Sequence, residues 1–227
     1  LEPLFYLLAF GLGLSGLVGN IRYQGLEISY VRFIAPALIA ITVMNNAFFE
    51  NTYASFVRMY YHKTFDAMMA TPLTVEEIIT GEIIWGATKA VIATAIMMAV
   101  ISCFGLIQYP EGLLLLPLAF LGGLAFGAAG MVCTAVTPNI ELFNLPVFLF
   151  ITPMFLFGGT FFPIENLPLW AQKTALLLPL THLVDLARAF ANGRIDATVL
   201  PGIAYLAAFS AAAFPLAIRK MRQRLIK

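Results

Sequence analysis

Long apolar runs, each close to the length of a bilayer crossing, alternate along this chain with shorter polar stretches. A spanning helix needs about 20 mostly apolar residues. Six runs meet that description: Pro3 to Val18, Val31 to Phe49, Ile83 to Phe104, Leu113 to Val136, Leu145 to Phe162 and Val199 to Ile218. The first is slightly short and begins almost at Leu1, so further sequence is expected ahead of it. It carries neither a basic n-region nor a small-residue cleavage site, and so does not read as a signal peptide. The pattern predicts an all-α membrane protein of six transmembrane helices, organised as a single domain over residues 1–227.

Two connections are too long to be turns. In the first, Glu50 to Glu82, Tyr61, Phe65, Met68 and Met69 recur at helical spacing, with His62, Lys63 and Asp66 on the other face. That periodicity predicts a short amphipathic helix. Thr71-Pro72 should end it, because a residue before proline is pushed out of the helical region. Thr74-Val75-Glu76-Glu77 then reads as a capping box that starts a new helix running into the third span, with the two acids at its positive end. In the second connection, Phe162 to Thr198, the apolar stretch Leu167 to Leu178 is too short to cross and predicts a re-entrant segment between spans five and six. A helix from Thr181 to Ala191 follows, with Asp185 and Arg188 on one face and Gly193 as its stop.

Composition sharpens this picture. The chain of 227 residues is 61% apolar and only 11% charged, against roughly 25% charged in an ordinary globular domain. A soluble protein of this size has no interior large enough to hide so much apolar surface. The net charge of +1 excludes a nucleic-acid binder that works by neutralising phosphates. Basic residues collect on the cytoplasmic side of membrane proteins. The C-terminal tail holds Arg219, Lys220, Arg222, Arg224 and Lys227, and Arg58 and Lys63 of the first long connection fall on the same side. Arg22, Arg32, Lys173, Arg188 and Arg194 are spread over longer segments opposite. Both termini are therefore expected in the cytoplasm, with the re-entrant segment outside.

Catalytic chemistry is not evident. His62 and His182 fall on opposite sides, and no HExxH, GxSxG or GxxxxGK[ST] sequence is present. Cys103 and Cys133 sit in apolar runs and read as small buried hydrophobes rather than a disulfide or metal pair. Inside the spans, Lys89 lies about two turns into the third, with Glu82 seven residues earlier. Lys89 either snorkels to the interface or forms a gating ion pair with Glu82 or Glu50. Asn45 and Asn46 in the second span are interhelical hydrogen-bonding groups or pathway contacts. Gly123-x-x-x-Gly127 permits close helix approach, to a second copy or to a neighbouring span. Pro146, Pro153 and Gly158-Gly159 interrupt the fifth span, which reads as an ordinary kink or as a moving, pathway-lining helix.

The order of several short segments resembles the membrane subunit of type-2 ABC exporters, and most of all the nodulation-protein J branch. They are Phe33-Ile34-Ala35-Pro36, Ala70-Thr71-Pro72-Leu73 with Gly81-Glu82, Gly158-Gly159-Thr160-Phe161-Phe162-Pro163 with Leu167-Pro168, and Leu178-Pro179-Leu180-Thr181-His182 with Arg188. Ala37 stands where glycine is expected, a small departure. An amphipathic helix expected before the first span is not in this sequence. The resemblance implies a homodimeric permease of the bacterial inner membrane, each copy docking a cytoplasmic ABC ATPase that holds the ATP and magnesium. This chain would then bind no cofactor and have no catalytic site of its own. The coupling segment would be Tyr61 to Glu82, with Tyr61, Phe65, Asp66, Met69, Thr71, Pro72, Glu76, Glu77 and Glu82 as its candidate residues. Asn45, Asn46, Glu50, Lys89 and Pro153 are the candidates for gating or pathway. Related permeases export lipo-oligosaccharides, polysaccharides, glycolipids or amphiphilic drugs, and weakly charged spans suit a large amphiphile. Two alternatives remain: an ATPase-independent carrier or channel, against which the scarcity of mid-span charge speaks, and a membrane enzyme built on His182, Asp185 and Arg188.

Overall fold

The computed structural model describes residues 5, 8–9, 13, 19–23, 25–196 and 199–226. The expected first span, Pro3 to Val18, lies mostly outside the described residues. Among those that are described, five helices are long and apolar enough to cross a membrane, and a sixth crossing is counted if one bent pair forms a single span. The expectation of an all-α membrane protein holds.

A β-hairpin that hydropathy does not reveal precedes the bundle. β1 (Asn20–Tyr23) and β2 (Leu26–Ser29) form an antiparallel hairpin, pairing Asn20 with Ser29 and Tyr23 with Leu26. Gly25 takes φ +79°, a backbone state that a tight two-residue turn demands. The hairpin feeds directly into α1 (Tyr30–Phe49).

α1 is the centre of the bundle. Fifteen of its 20 residues are buried, so its apolar character all round is answered by protein on nearly every side. It packs against α3 (Val75–Cys103), α4 (Leu115–Val136) and α7 (Pro179–Ala191). The helix does not stop near Phe49 as expected. It continues through two π-helical turns, Glu50–Ala54 and Val57–Tyr61, so the whole rod spans Tyr30–Tyr61. The polar residues that signalled a loop here are bonded inside the bundle: Asn51 donates to the Ala47 carbonyl, and Thr134 of α4 donates to the Asn51 carbonyl.

The rest of the first long connection is compact. Lys63 adopts a left-handed backbone (φ 56°) and breaks the chain from the rod, and α2 (Thr64–Met69) follows. Tyr61 therefore ends the rod and is not part of the amphipathic helix. The capping box is present as the sequence predicted, with the Glu77 amide donating to the Thr74 hydroxyl and the Thr74 amide to the Glu77 carboxylate. α3 then runs 29 residues without a proline.

Short turns lead through π-helical Val147–Ile151 into α5 (Thr152–Phe157). α6 (Leu169–Ala175) and α7 are bent 84° from one another, a geometry shared by a broken span and a re-entrant segment. α7 begins at Pro179, slightly earlier than expected, and Gly193 (φ +65°) lies just past its end. α8 (Val199–Leu225) closes the fold against α4.

The glycine row of α4 packs within the chain. A Cβ at Gly123 would lie 2.7 Å from the Ala87 Cα of α3, and one at Gly130 would lie 2.8 Å from the Phe48 carbonyl oxygen of α1. Cys103 is exposed and Cys133 half-buried, so the expectation that both are buried fails; Cys103 lies in the final turn of α3, beyond the packed part of that helix.

Candidate functional site

Candidate residues fall at two ends of the bundle. At the end bearing the C-terminal tail, α2 and the start of α3 form a corner seated on its own apolar cluster. Phe56, Phe65, Val75, Ile79, Phe143 and Met221 make up the centre of that cluster. Phe65 is thus the inward anchor of α2, and Met69 is half-buried beside it. Tyr61 (58% exposed), Asp66, Thr71, Pro72 and Glu77 face outward. Asp66 lies 3.9 Å from Lys63, and the Thr71 hydroxyl donates to the Met68 carbonyl to close the turn. Glu76 pairs with Arg222 of α8 at 3.2 Å. Arg224 donates to the carbonyls of Thr134 and Thr137 at the end of α4, where a cation also meets the negative end of the helix. The basic tail is therefore fastened to the same end as the corner.

Glu82 differs from its neighbours in the coupling set. It is buried, accepts from the Ser55 hydroxyl at 2.5 Å and takes a forked contact from Arg58 (Nε at 3.1 Å, Nη2 at 2.5 Å). Arg58 also donates to Glu50 at 2.8 Å, and Lys89 donates to the other Glu50 oxygen at 2.7 Å. Four charges, two of each sign, thus form one neutral quartet between the π-helical part of the rod and α3. A planar guanidinium suits this bridging task, because its donors diverge in fixed directions.

The quartet borders an open groove of about 330 Å³ lined by Asn45, Asn46, Phe49, Glu50, Tyr53, Ala54 and Lys89. Four of the five gating or pathway candidates therefore share one surface. Pro153 does not; it lies in the first turn of α5. Of the two pairings open to Lys89, the structure contains the one with Glu50, since Arg58 occupies Glu82. Lys89 remains 42% exposed, with its ammonium 5.5 Å above the Trp85 ring. By sequence alone Arg58 is an ordinary cation of the first long connection. Its role depends on the rod continuing past Phe49, which hydropathy alone does not reveal.

At the hairpin end, Arg188 does more than share a helix face with Asp185, the placement that the sequence predicts. It is 3% exposed. Its Nε donates to the Phe33 carbonyl at 3.1 Å, and its Nη2 donates to the carbonyls of Gly159 (2.6 Å) and Thr160 (3.2 Å). The guanidinium stacks 3.6 Å over the Phe33 ring, and Nη1 lies 3.7 Å from Asp185. Three of the segments that carry the family resemblance meet at this side chain. The Tyr23 hydroxyl donates to Asp185; burial pushes the Tyr23 phenol well above its usual range, and the Asp185 charge adds to the effect. His182 contacts the Leu176 carbonyl and stacks on Tyr205. The trio His182, Asp185 and Arg188 is thus held in packing and ion-pair roles.

The ABC-2 type transporter family matches this chain over residues 1–191. Nodulation protein J of Rhizobium leguminosarum bv. trifolii is 37% identical, the match covering 100% of this chain and 85% of that protein. Nodulation protein J of Sinorhizobium fredii (strain NBRC 101917 / NGR234) is 36% identical over 99% of this chain and 84% of that protein. The inner membrane transport permease YadH of Escherichia coli (strain K12) is 22% identical over 79% of this chain and 68% of that protein. With that match over most of its length, these relatives and several helices long and apolar enough to cross a membrane, the chain belongs to the ABC-2 type transporter family, as a nodulation-protein-J-like permease subunit.

Proposed function

We propose that this chain, as a homodimer in the bacterial inner membrane with both termini in the cytoplasm, exports an amphiphilic cargo of the lipo-oligosaccharide or glycolipid kind. A separate ABC ATPase powers it, docking on the corner formed by α2 and the start of α3. The observation that carries this reading is the corner itself. An outward face of Tyr61, Asp66, Thr71, Pro72 and Glu77 stands on a buried Phe65 anchor, and the next residue run is a capped helix that continues through the bundle without a break. A rigid elbow transmits a push where a loose loop would absorb it. The fastening of the basic tail to the same end supports a cytoplasmic placement of both. The groove beside Lys89 and Glu50 offers polar contacts for a head group on entry, with an apolar rim for the tail.

The test uses the chain reconstituted with a partner ABC ATPase identified by co-purification, and a fluorescent acylated tetrasaccharide as cargo. Glu77→Ala and Pro72→Ala should leave insertion and ATP hydrolysis in place while lowering export at least tenfold. Export at the wild-type rate in both variants would overturn the coupling role. Flux of the same cargo through the chain alone, without ATPase or nucleotide, would overturn the ATP-driven reading and favour the carrier.

A further inference from the structure

α8 ends in a basic cluster that the roles above use only in part. From Val199 to Ile218 the helix carries no charge, a stretch of about 30 Å that matches the thickness of a hydrocarbon core. Arg219, Lys220, Arg222 and Arg224 follow in its last turns, and the helix contains no acidic residue. These cations divide into two pairs. Arg222 and Arg224 are held by the protein, through Glu76 and through the carbonyls of Thr134 and Thr137. Arg219 and Lys220 are exposed, and among the described residues neither has a hydrogen bond or an ion pair. The acids of the corner are taken: Glu76 by Arg222, Asp66 by Lys63 and Glu77 by the Thr74 cap. Glu141, on the turn after α4, pairs with neither.

The surroundings of this free pair name its partner. Around the helix axis Arg219 falls on the same outward face as Ala204, Ala208, Ala212 and Pro215, all exposed, and Lys220 flanks it. In a membrane protein an apolar face turned away from the bundle meets lipid, and cations at its end stand at the level of the head groups. A guanidinium grips phosphate oxygens as a fork, and an ammonium beside it adds a point charge. With no carboxylate on the helix to hold a lipid amine, a head group of net negative charge is favoured over a zwitterionic one. We propose that Arg219 and Lys220 bind the phosphate of an anionic phospholipid. Arg222 ties the same end of α8 to the first turn of α3, and Arg224 ties it to the end of α4. The bound lipid therefore pins the corner end of the bundle at a fixed height on the membrane surface. The site needs the membrane-spanning fold alone and is independent of the cargo.

The experiment uses the full chain in phosphatidylcholine vesicles, with Trp85→Phe and Trp170→Phe removing both native tryptophans and Leu216→Trp as the reporter. Leu216 is exposed one turn before Lys220, at an angle between the two cations. The reporter's fluorescence is quenched by phosphatidylglycerol or phosphatidylcholine brominated on the acyl chains. Each basic residue at a membrane surface favours an anionic lipid by about fivefold. Brominated phosphatidylglycerol should accordingly reach half-maximal quenching at a mole fraction lower by at least about fivefold. Arg219→Gln with Lys220→Gln should bring the two lipids level, while Arg219→Lys with Lys220→Arg should keep the preference. Quenching by brominated phosphatidylcholine in each variant shows that the chain is inserted. Excess glycerol 1-phosphate should change nothing. Equal quenching by the two lipids in the parent chain, or a preference that survives the glutamine pair, overturns the lipid site. So does loss of the preference to glycerol 1-phosphate, which would mark a site for free phosphate, and so does quenching by neither lipid, which would show the face covered by protein.

Discussion

Replacing Arg58 by alanine tests the quartet most directly. The substitution leaves Glu50 and Glu82, both buried, with Lys89 as the one remaining cation of the group and a net charge of −1. Glu82 loses its forked partner and keeps only the Ser55 hydroxyl. Breaking a buried ion pair by removing one partner costs roughly 3–5 kcal/mol. Arg58 is a quarter exposed, so water can partly replace it and the low end, about 3 kcal/mol, applies. For a chain of this size that corresponds to a fall of roughly 6–12 °C in Tm, measured on the purified protein in detergent. Arg58→Ala combined with Glu82→Gln restores neutrality and should recover at least half of the loss. Arg58→Lys keeps the charge without the fork and should fall between. A Tm within 2 °C of wild type for Arg58→Ala, or a double variant no better than the single one, would refute the claim that charge balance holds the rod to α3.

Two further outcomes follow from the packing. Gly123→Val forces side-chain atoms into the Ala87 backbone and should destabilise by about 1–3 kcal/mol, whereas Gly81→Ala, which meets nothing within 4 Å, should be neutral or stabilising by up to about 1 kcal/mol; equal melting of the two variants would count against the close approach of α3 and α4. Arg188→Lys cannot reach the carbonyls of Phe33, Gly159 and Thr160 together, and should cost roughly 2–4 kcal/mol with faster amide exchange around Gly159; unchanged exchange there would show that the guanidinium does not hold that turn.

Much of the architecture was legible because a bilayer imposes long apolar runs. The runs from Val31, Ile83, Leu113, Leu145 and Val199 all became helices, and Thr74-Val75-Glu76-Glu77 announced its cap because that motif is local. What failed was non-local. The polar stretch Glu50 to Arg58 looked like a loop, yet its charges are satisfied by Glu82 and Lys89, more than 20 residues away. Polar residues inside a bundle and polar residues in a loop have the same hydropathy, and only the fold tells them apart. The hairpin is a different case. Asn20-Ile21-Arg22-Tyr23 and Leu26-Glu27-Ile28-Ser29 alternate around Gln24-Gly25, a readable strand signal hidden beside a far stronger helical one. Of the candidate site, Asn45, Asn46, Glu50 and Lys89 were identified from polarity alone. Arg58 was not singled out, and of Arg188 only its place beside Asp185 was legible, since a cation's burial is decided by the carbonyls and carboxylates that other segments bring to it.

The length of α3 has a mechanical consequence. Its 29 residues at 1.5 Å each give a shaft of about 43 Å, starting at the capped turn of Thr74 and ending beside the Gln108 loop. A tilt of about five degrees about its capped end would swing the far tip by about 4 Å, a stroke wider than a hydrogen bond is long. The leverage comes from having no joint along the way, so a displacement too small to rearrange the elbow itself is still large enough to remake contacts at the opposite face of the membrane.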